Sequence, residues 1–180
     1  SGRDEVYAPL VHAAWHGWSL ADLVFPSFLA ALGASAIFAF AARREKGQAP
    51  SDFARHALAR AVGLFALGML VDLVLFPTPG GMRWPGVLQR IALCSLGVSA
   101  LLLLDKPVIE IPVALGLLAG YWLAMTYIPV PGHGAGVLTP EDNLSYWLDR
   151  TLMAGHTSDP LGDQEGLLST LPALATALLG

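Results

Sequence analysis

The stretch LADLVFPSFLAALGASAIFAFAA, residues 20–42, decides the fold: it carries one charge, Asp22, near its start and is otherwise apolar or uncharged. A helix needs roughly 17–25 such residues to cross a hydrocarbon core about 30 Å thick. Three further runs have the same character, Ala57–Phe76, Val87–Leu104 and Val108–Ile128, and a fifth begins at Gly166 and stops at Gly180. Hydrophobic residues make up 54% of the chain and charged ones 13%, with a mean hydropathy of +0.57. In soluble domains charged residues approach about a quarter. The apolar runs are continuous, whereas a membrane β-barrel shows alternation in segments of about ten. The expected fold is therefore all-α, a polytopic transmembrane helix bundle with a long extracytoplasmic loop.

Basic residues set the orientation. Arg43, Arg44, Lys46, Arg55 and Arg60 crowd in and beside the first connection, while the 129–165 connection holds only Arg150. The positive-inside rule then makes 43–56 cytoplasmic and puts residues 1–19, 77–86 and 129–165 on the opposite side. The N-terminal residues lack the basic start and apolar core of a cleavable signal, and the last apolar run is short. Residues 1–180 are thus expected to be an internal piece, cut at both ends, of one larger multi-span domain. A bacterial inner membrane is the expected location. Lipids are obligatory partners, a homodimer is left open, and the short basic cluster is explained by topology without nucleic acid.

Inside the spans, Gly33, Gly63, Gly68, Gly97 and the Gly116-x-x-x-Gly120 pair are candidates for close helix contacts. Pro26 is expected to kink or open the first span. Asp22 and Asp72 belong inside the bundle, since a carboxylate facing lipid at mid-depth costs roughly 2.5–3.5 kcal/mol. In WPGVLQRIAL, residues 84–93, Pro85 is placed to start a helix, with Arg90 either snorkelling to the interface or pairing inward with Asp72, Asp149 or Glu165. Gln89 suits a sugar or an acyl carbonyl, and equally a link between helices. Thr139-Pro-Glu-Asp142 reads as a helix start, leading to a short interfacial helix over Asn143–Ala154 anchored by Tyr146 and Trp147. Asp142, Asp149 and His156 recur at intervals of seven, but neither HExxH nor a thiolate set accompanies them, so no metal is expected. The lone Cys94 is a packing residue.

Taken in order, His12-Ala-x-Trp15-x-Gly17, Ala21-Asp-Leu-Val-Phe-Pro26-x-Phe28, Pro85-Gly-Val-Leu-Gln-Arg90, Pro129-Val-Pro-Gly132, Asn143, Leu148-Asp-Arg150 and Glu165-Gly-Leu-Leu-Ser-Thr-Leu-Pro172 give the chain its resemblance. It resembles the heparan-alpha-glucosaminide N-acetyltransferase family of integral membrane acyltransferases, including its short bacterial relatives. The resemblance implies transfer of acetyl from acetyl-CoA, approached from the cytoplasm, to an amino sugar on the far side. The family's active-site histidine falls on His12; His16 stands where relatives can carry asparagine. Asp22, Gln89, Arg90, Asn143, Asp149 and Glu165 carry over as members of the polar motifs. The family's first membrane helix and its later helices have no counterpart in these residues.

On that resemblance a neutral His12 is the expected base for an amine that must lose a proton before attacking a thioester, or alternatively a transient acetyl carrier. Asp22 or Asp149 would orient its ring. Gln89 or Arg90 would stabilise the developing oxyanion, with Asn143 and Glu165 helping to bind the acceptor. Arg43 and Arg44 are candidates for the phosphates of CoA. A sugar or organic-acid transporter, using the same internal acids as gates, is the alternative.

Overall fold

The computed structural model describes residues 7, 10–76, 78 and 80–180. Six α-helices follow in order: α1 Val24–Glu45, α2 Pro50–Leu75, α3 Val87–Leu103, α4 Glu110–Tyr127, α5 Leu144–Leu152 and α6 Thr170–Leu179. Short 3-10 turns, Ala21–Leu23 and Pro107–Ile109, lead into α1 and α4. Among the described residues the extended pairings are two isolated bridges, Val130 with Gly134 and Asp159 with Gly162. Ala21–Glu45, Pro50–Leu75 and Pro107–Tyr127 are long and apolar enough to cross a membrane, and α3 and α6 are shorter apolar helices. The protein is an all-helical integral membrane protein, as its composition requires.

Helix boundaries depart from the hydropathy reading where charge begins. Instead of starting at Ala57, α2 starts at Pro50, whose fixed φ and missing N–H suit the first helical position. The expected 43–56 loop therefore shrinks to residues 46–49. Arg43 and Arg44 close α1, and Arg55 lies on α2, bonded to Asp52 at 2.6 Å. Hydropathy marks where the hydrocarbon ends, whereas backbone hydrogen bonding continues past it. Pro26 needs no mid-span kink: it sits in the first turn of α1, where the missing N–H would have bonded back to residue 22 and the chain runs instead as a 3-10 turn. Pro85 lies two residues before α3, with extended Gly86 between them as the cap. The cap of α5 is Asn143 rather than the Thr139–Asp142 segment; its Oδ1 accepts the Tyr146 N–H at 2.9 Å.

The core lies along α6, which packs against α1, α3 and α4, while α3 also meets α1 and α2. Small residues make this possible. A methyl group on Gly33 would lie 1.8 Å from the Ala177 carbonyl oxygen, and one on Gly97 would press into Leu174 at 2.8 Å. Backbones that close gain dispersion contacts, the main attraction between apolar helices in lipid. Gly63, Gly116 and Gly120 instead face open space, so among the described residues the Gly116-x-x-x-Gly120 spacing makes no helix contact. Outer faces such as Leu58, Val62, Leu70 and Leu115 stay exposed, which hydrocarbon solvates at no cost. Arg44 bonds Asp105 at one end of the bundle. The starts of α1, α3 and α6 and the end of α2 gather at the other, beside α5.

Candidate functional site

Residues 11–20 form no helix, and the chain bends back at Gly17, whose φ of 99° is open to glycine. A continuous helix would leave His12 and Asp22 on different faces; this bend brings His12 Nδ1 to 2.6 Å from Asp22 Oδ1. The other carboxylate oxygen accepts the N–H of Ala13 at 3.2 Å, the N–H of Ser19 at 2.7 Å and the Ser19 hydroxyl at 3.0 Å. Asp22 is therefore fixed before the histidine meets it. An ionised carboxylate only accepts hydrogen bonds, so in the neutral ring Nδ1 carries the proton and Nε2, which has no bond among the described residues, holds the lone pair. The His12 side chain is 75% exposed, and a molecule arriving from outside can reach Nε2.

Aromatic contacts tie this bend to the bundle. Trp15 donates its indole N–H to the Leu138 carbonyl at 2.7 Å and meets Tyr146 of α5 edge to face at 5.3 Å. Tyr146 thus packs inward, where an interfacial anchor was expected. Phe25, in the first turn of α1, lies 5.8 Å below the Arg90 guanidinium.

Arg90 points inward but pairs with none of the expected carboxylates. Its Nη2 donates to the carbonyls of Gln164 at 2.7 Å and Gly166 at 3.4 Å, and to the Ser169 hydroxyl. Those acids are engaged elsewhere. Asp72 takes the Gln89 amide at 2.6 Å, joining α2 to α3, and the bare backbones of Gly68 and Gly86 make room for the pair. Glu165 belongs to Arg83, which also holds Asp163 through Nε at 2.9 Å and through Nη2. Burial opposes the Arg83 charge, but the Asp163 bonds and both carboxylate charges outweigh it and hold the guanidinium above its ordinary pKa. Burial likewise raises Asp163, and the Arg83 bonds outweigh it, leaving that acid below its usual range.

Asp149 is fully buried. Its Oδ1 accepts the Leu167 N–H at 3.0 Å, Gly166 packs against the carboxyl, and Oδ2 has no partner among the described residues. Burial pushes its pKa up to about 6 against the pull of the Leu167 N–H. No hydrogen bond joins it to His12; it grips the segment entering α6. Asn143 caps α5 and donates to the Thr139 and Pro140 carbonyls. Asp142, Asp149 and His156 have separate partners: Asp142 faces His133 at 3.0 Å, and His156 meets the Met82 carbonyl at 2.7 Å while stacking on Trp84. The Arg83–Asp163 pair escapes sequence reading because 80 positions separate its members.

Among the cavities at this end, two are lined by candidate residues or their neighbours. One of about 450 Å³ runs between α2, α3 and the 152–170 segment, with apolar walls from Phe65, Met69, Leu93 and Leu152 and with Gln89, Arg90 and Glu165 among its polar lining. The second, about 380 Å³, reaches from Trp15 and His16 to α4 and α5. At the opposite end Arg43 and Arg44 line a cavity of about 280 Å³ with Phe40 and Phe53. There Arg43 is bonded to Gln48 and Arg44 to Asp105.

Fold and geometry together define a class: a polytopic membrane helix bundle with a carboxylate-anchored histidine at the mouth of the bundle. Residues 5–149 match the family described as heparan-alpha-glucosaminide N-acetyltransferase, catalytic, and the chain belongs to that family. It is 27% identical to the human heparan-alpha-glucosaminide N-acetyltransferase over 94% of this chain and 33% of the human protein. The mouse protein of the same name is 26% identical with the same coverage. The chain spans about a third of the length of these relatives.

Proposed function

We propose that the His12–Asp22 pair is the reaction centre of a membrane acyltransferase that moves acetyl from acetyl-CoA to the amine of a glucosamine-like sugar across the membrane. The observation that carries this reading is the 2.6 Å contact of His12 Nδ1 with Asp22, within the segment that matches the family. A carboxylate on Nδ1 fixes the tautomer, directs the Nε2 lone pair outward and stabilises the imidazolium that forms on proton uptake. Nε2 takes the proton of the attacking amine, the C–N bond forms as the C–S bond breaks, and the departing sulfur recovers a proton as CoA thiol. The same lone pair also suits a transient acetyl-histidine.

Arg90, through Nη2, and Gln89 are engaged with protein groups, so their proposed part is to hold the frame around the reacting carbonyl; the buried Arg90 Nε has no partner among the described residues. Asn143, Asp149 and Glu165 shape the same frame through α5 and the segment entering α6. Arg43 and Arg44 stand one length of α1, about 33 Å, from the His12 end. They are proposed as entry contacts for the donor's phosphates on the cytoplasmic side, given up before the thioester reaches His12. Residues 129–165 would then lie outside, in a bacterial inner membrane.

Purified protein given acetyl-CoA and glucosamine is expected to form the N-acetyl product. His12→Ala is expected to lose about two to four powers of ten in turnover, the scale of general acid–base assistance. The exposed position of His12 leaves the fold intact. Near-normal transfer by that variant overturns the reading, and glucosamine counterflow in vesicles without acetyl-CoA replaces it with transport.

A further inference from the structure

We propose that the cavity beside Trp15, rather than the larger cavity at Arg90, receives the sugar ring of the acceptor; this rests on the acyltransferase reading and assigns its acceptor subsite. Three aromatic side chains, Trp15, Tyr121 and Tyr146, line this space of about 380 Å³, inside the about 300–1,000 Å³ range of small-ligand pockets. Trp15 and Tyr146 stand at 73° to each other, with ring centroids 5.3 Å apart, and so form a corner. The C–H bonds on a pyranose face carry slight positive charge and pack on the negative face of an aromatic ring. Its hydroxyls, in turn, need groups that both donate and accept.

The lining supplies such groups. Ser145 is buried, and its Oγ has no hydrogen-bond partner among the described residues. A buried hydroxyl left unpaired is costly, and a ligand hydroxyl that reaches it recovers that cost. Gln164 lines the same space and is exposed; its backbone carbonyl is held by Arg90, while its side-chain amide, unbonded among the described residues, offers two hydrogen bonds of each kind. His16 lines it too, four residues from His12, so the pocket adjoins the proposed base along the chain. This gives His16 a contact with substrate. By contrast, the wall of the Arg90 cavity is mostly apolar, its Trp84 ring is already stacked on His156, and its amide and carboxylate groups are bonded to Asp72 and Arg83, which leaves the Arg90 Nε as its unpartnered buried group among the described residues. It offers a sugar few free partners.

The test uses the full protein in detergent, with acetyl-CoA saturating and glucosamine varied. Gln164→Ala and Ser145→Ala are each expected to raise the glucosamine KM about tenfold, the size of one lost hydrogen bond. kcat at saturating glucosamine and the KM for acetyl-CoA are expected to hold, which a general loss of folding would not allow. Leu152→Trp, which fills the other cavity, is expected to leave the glucosamine KM unchanged. If Leu152→Trp raises that KM and the two pocket variants do not, the acceptor binds at Arg90 and the proposal falls. Titration of N-acetylglucosamine by calorimetry without acetyl-CoA separates the two readings. Binding weakened by Gln164→Ala in a protein that transfers no acetyl upholds the subsite and removes the acyltransferase reading. Transfer by wild type with a KM indifferent to both pocket variants does the reverse.

Discussion

The two ends of the bundle are fastened in different ways. At the His12 end the carboxylates of Asp163 and Asp22 are each held by several directed bonds. Asp163 takes Arg83 twice and the N–H groups of Ser158 and Glu165, and Asp22 takes three protein donors besides His12. At the Arg44 end the ion pairs are single contacts between exposed side chains, Arg44 with Asp105 and Arg55 with Asp52. A buried charge left without partners is costly, so the groups around such a carboxylate are held in a narrow geometry. Exposed pairs are screened and contribute little. One end is built to hold atoms in place and the other to mark where the membrane stops.

The largest consequence falls on Arg83. Arg83→Met preserves bulk but leaves Asp163, 1% exposed, without its cation, and breaking such a pair from one side costs about 3–5 kcal/mol. Thermal unfolding in detergent is expected to show that loss, with Arg83→Lys recovering only part because an ammonium cannot reproduce the two-pronged contact. A loss below about 1 kcal/mol, the range of exposed pairs, would erase the difference between the ends.

Much of this fold was legible because membrane spans announce themselves by length and apolarity. The place of Arg43 and Arg44 at the end of α1 and the burial of Asp72 follow from the cost of charge in hydrocarbon. The site was legible only in its local part. His12 and Asp22 stand in one short segment, yet a helical extrapolation sets them apart; a bend at Gly17 that no periodicity reports makes them a pair. Arg90 drew attention for its charge at a helix start, but its carbonyl partners on residues 164 and 166 carry no side-chain signal at all. The same holds for Gly116 and Gly120, whose spacing matches a packing motif while Gly33, without a partner glycine, makes the closest approach. Pairing across long separations is a property of tertiary structure.

Asp149 offers a subtler test of the same end. Its folded pKa, pushed up to about 6 from 3.8, means that the native state binds a proton more tightly than the unfolded chain. Its contribution is therefore fully favourable below about pH 4 and is lost as the pH rises through about 6. Asp163, whose charge opposes ionisation, and Arg90, whose charge assists it, are the ionic groups that set this balance. Relative to Asp149→Asn, which cannot ionise, wild-type stability is expected to fall by about 1–3 kcal/mol between pH 4 and pH 6. A difference between the two proteins that stays flat over this range would show that the unpartnered Oδ2 is solvated and the carboxylate comfortable where it is.

The smallest effect is expected at the opposite end, in Arg44→Ala. Arg44 and Asp105 have side chains 64% and 56% exposed, so water and salt solvate both partners when the contact is broken. Arg43 remains beside them in the last turn of α1. The loss in unfolding free energy is expected to stay below about 1 kcal/mol and to shrink further at high salt. Activity separates a mere membrane marker from an entry contact. If Arg44 meets the donor's phosphates, the KM for acetyl-CoA rises severalfold while the glucosamine KM and the unfolding temperature stay where they were. If every kinetic constant is unchanged, the cation serves topology alone, and the donor needs no foothold at this end of α1.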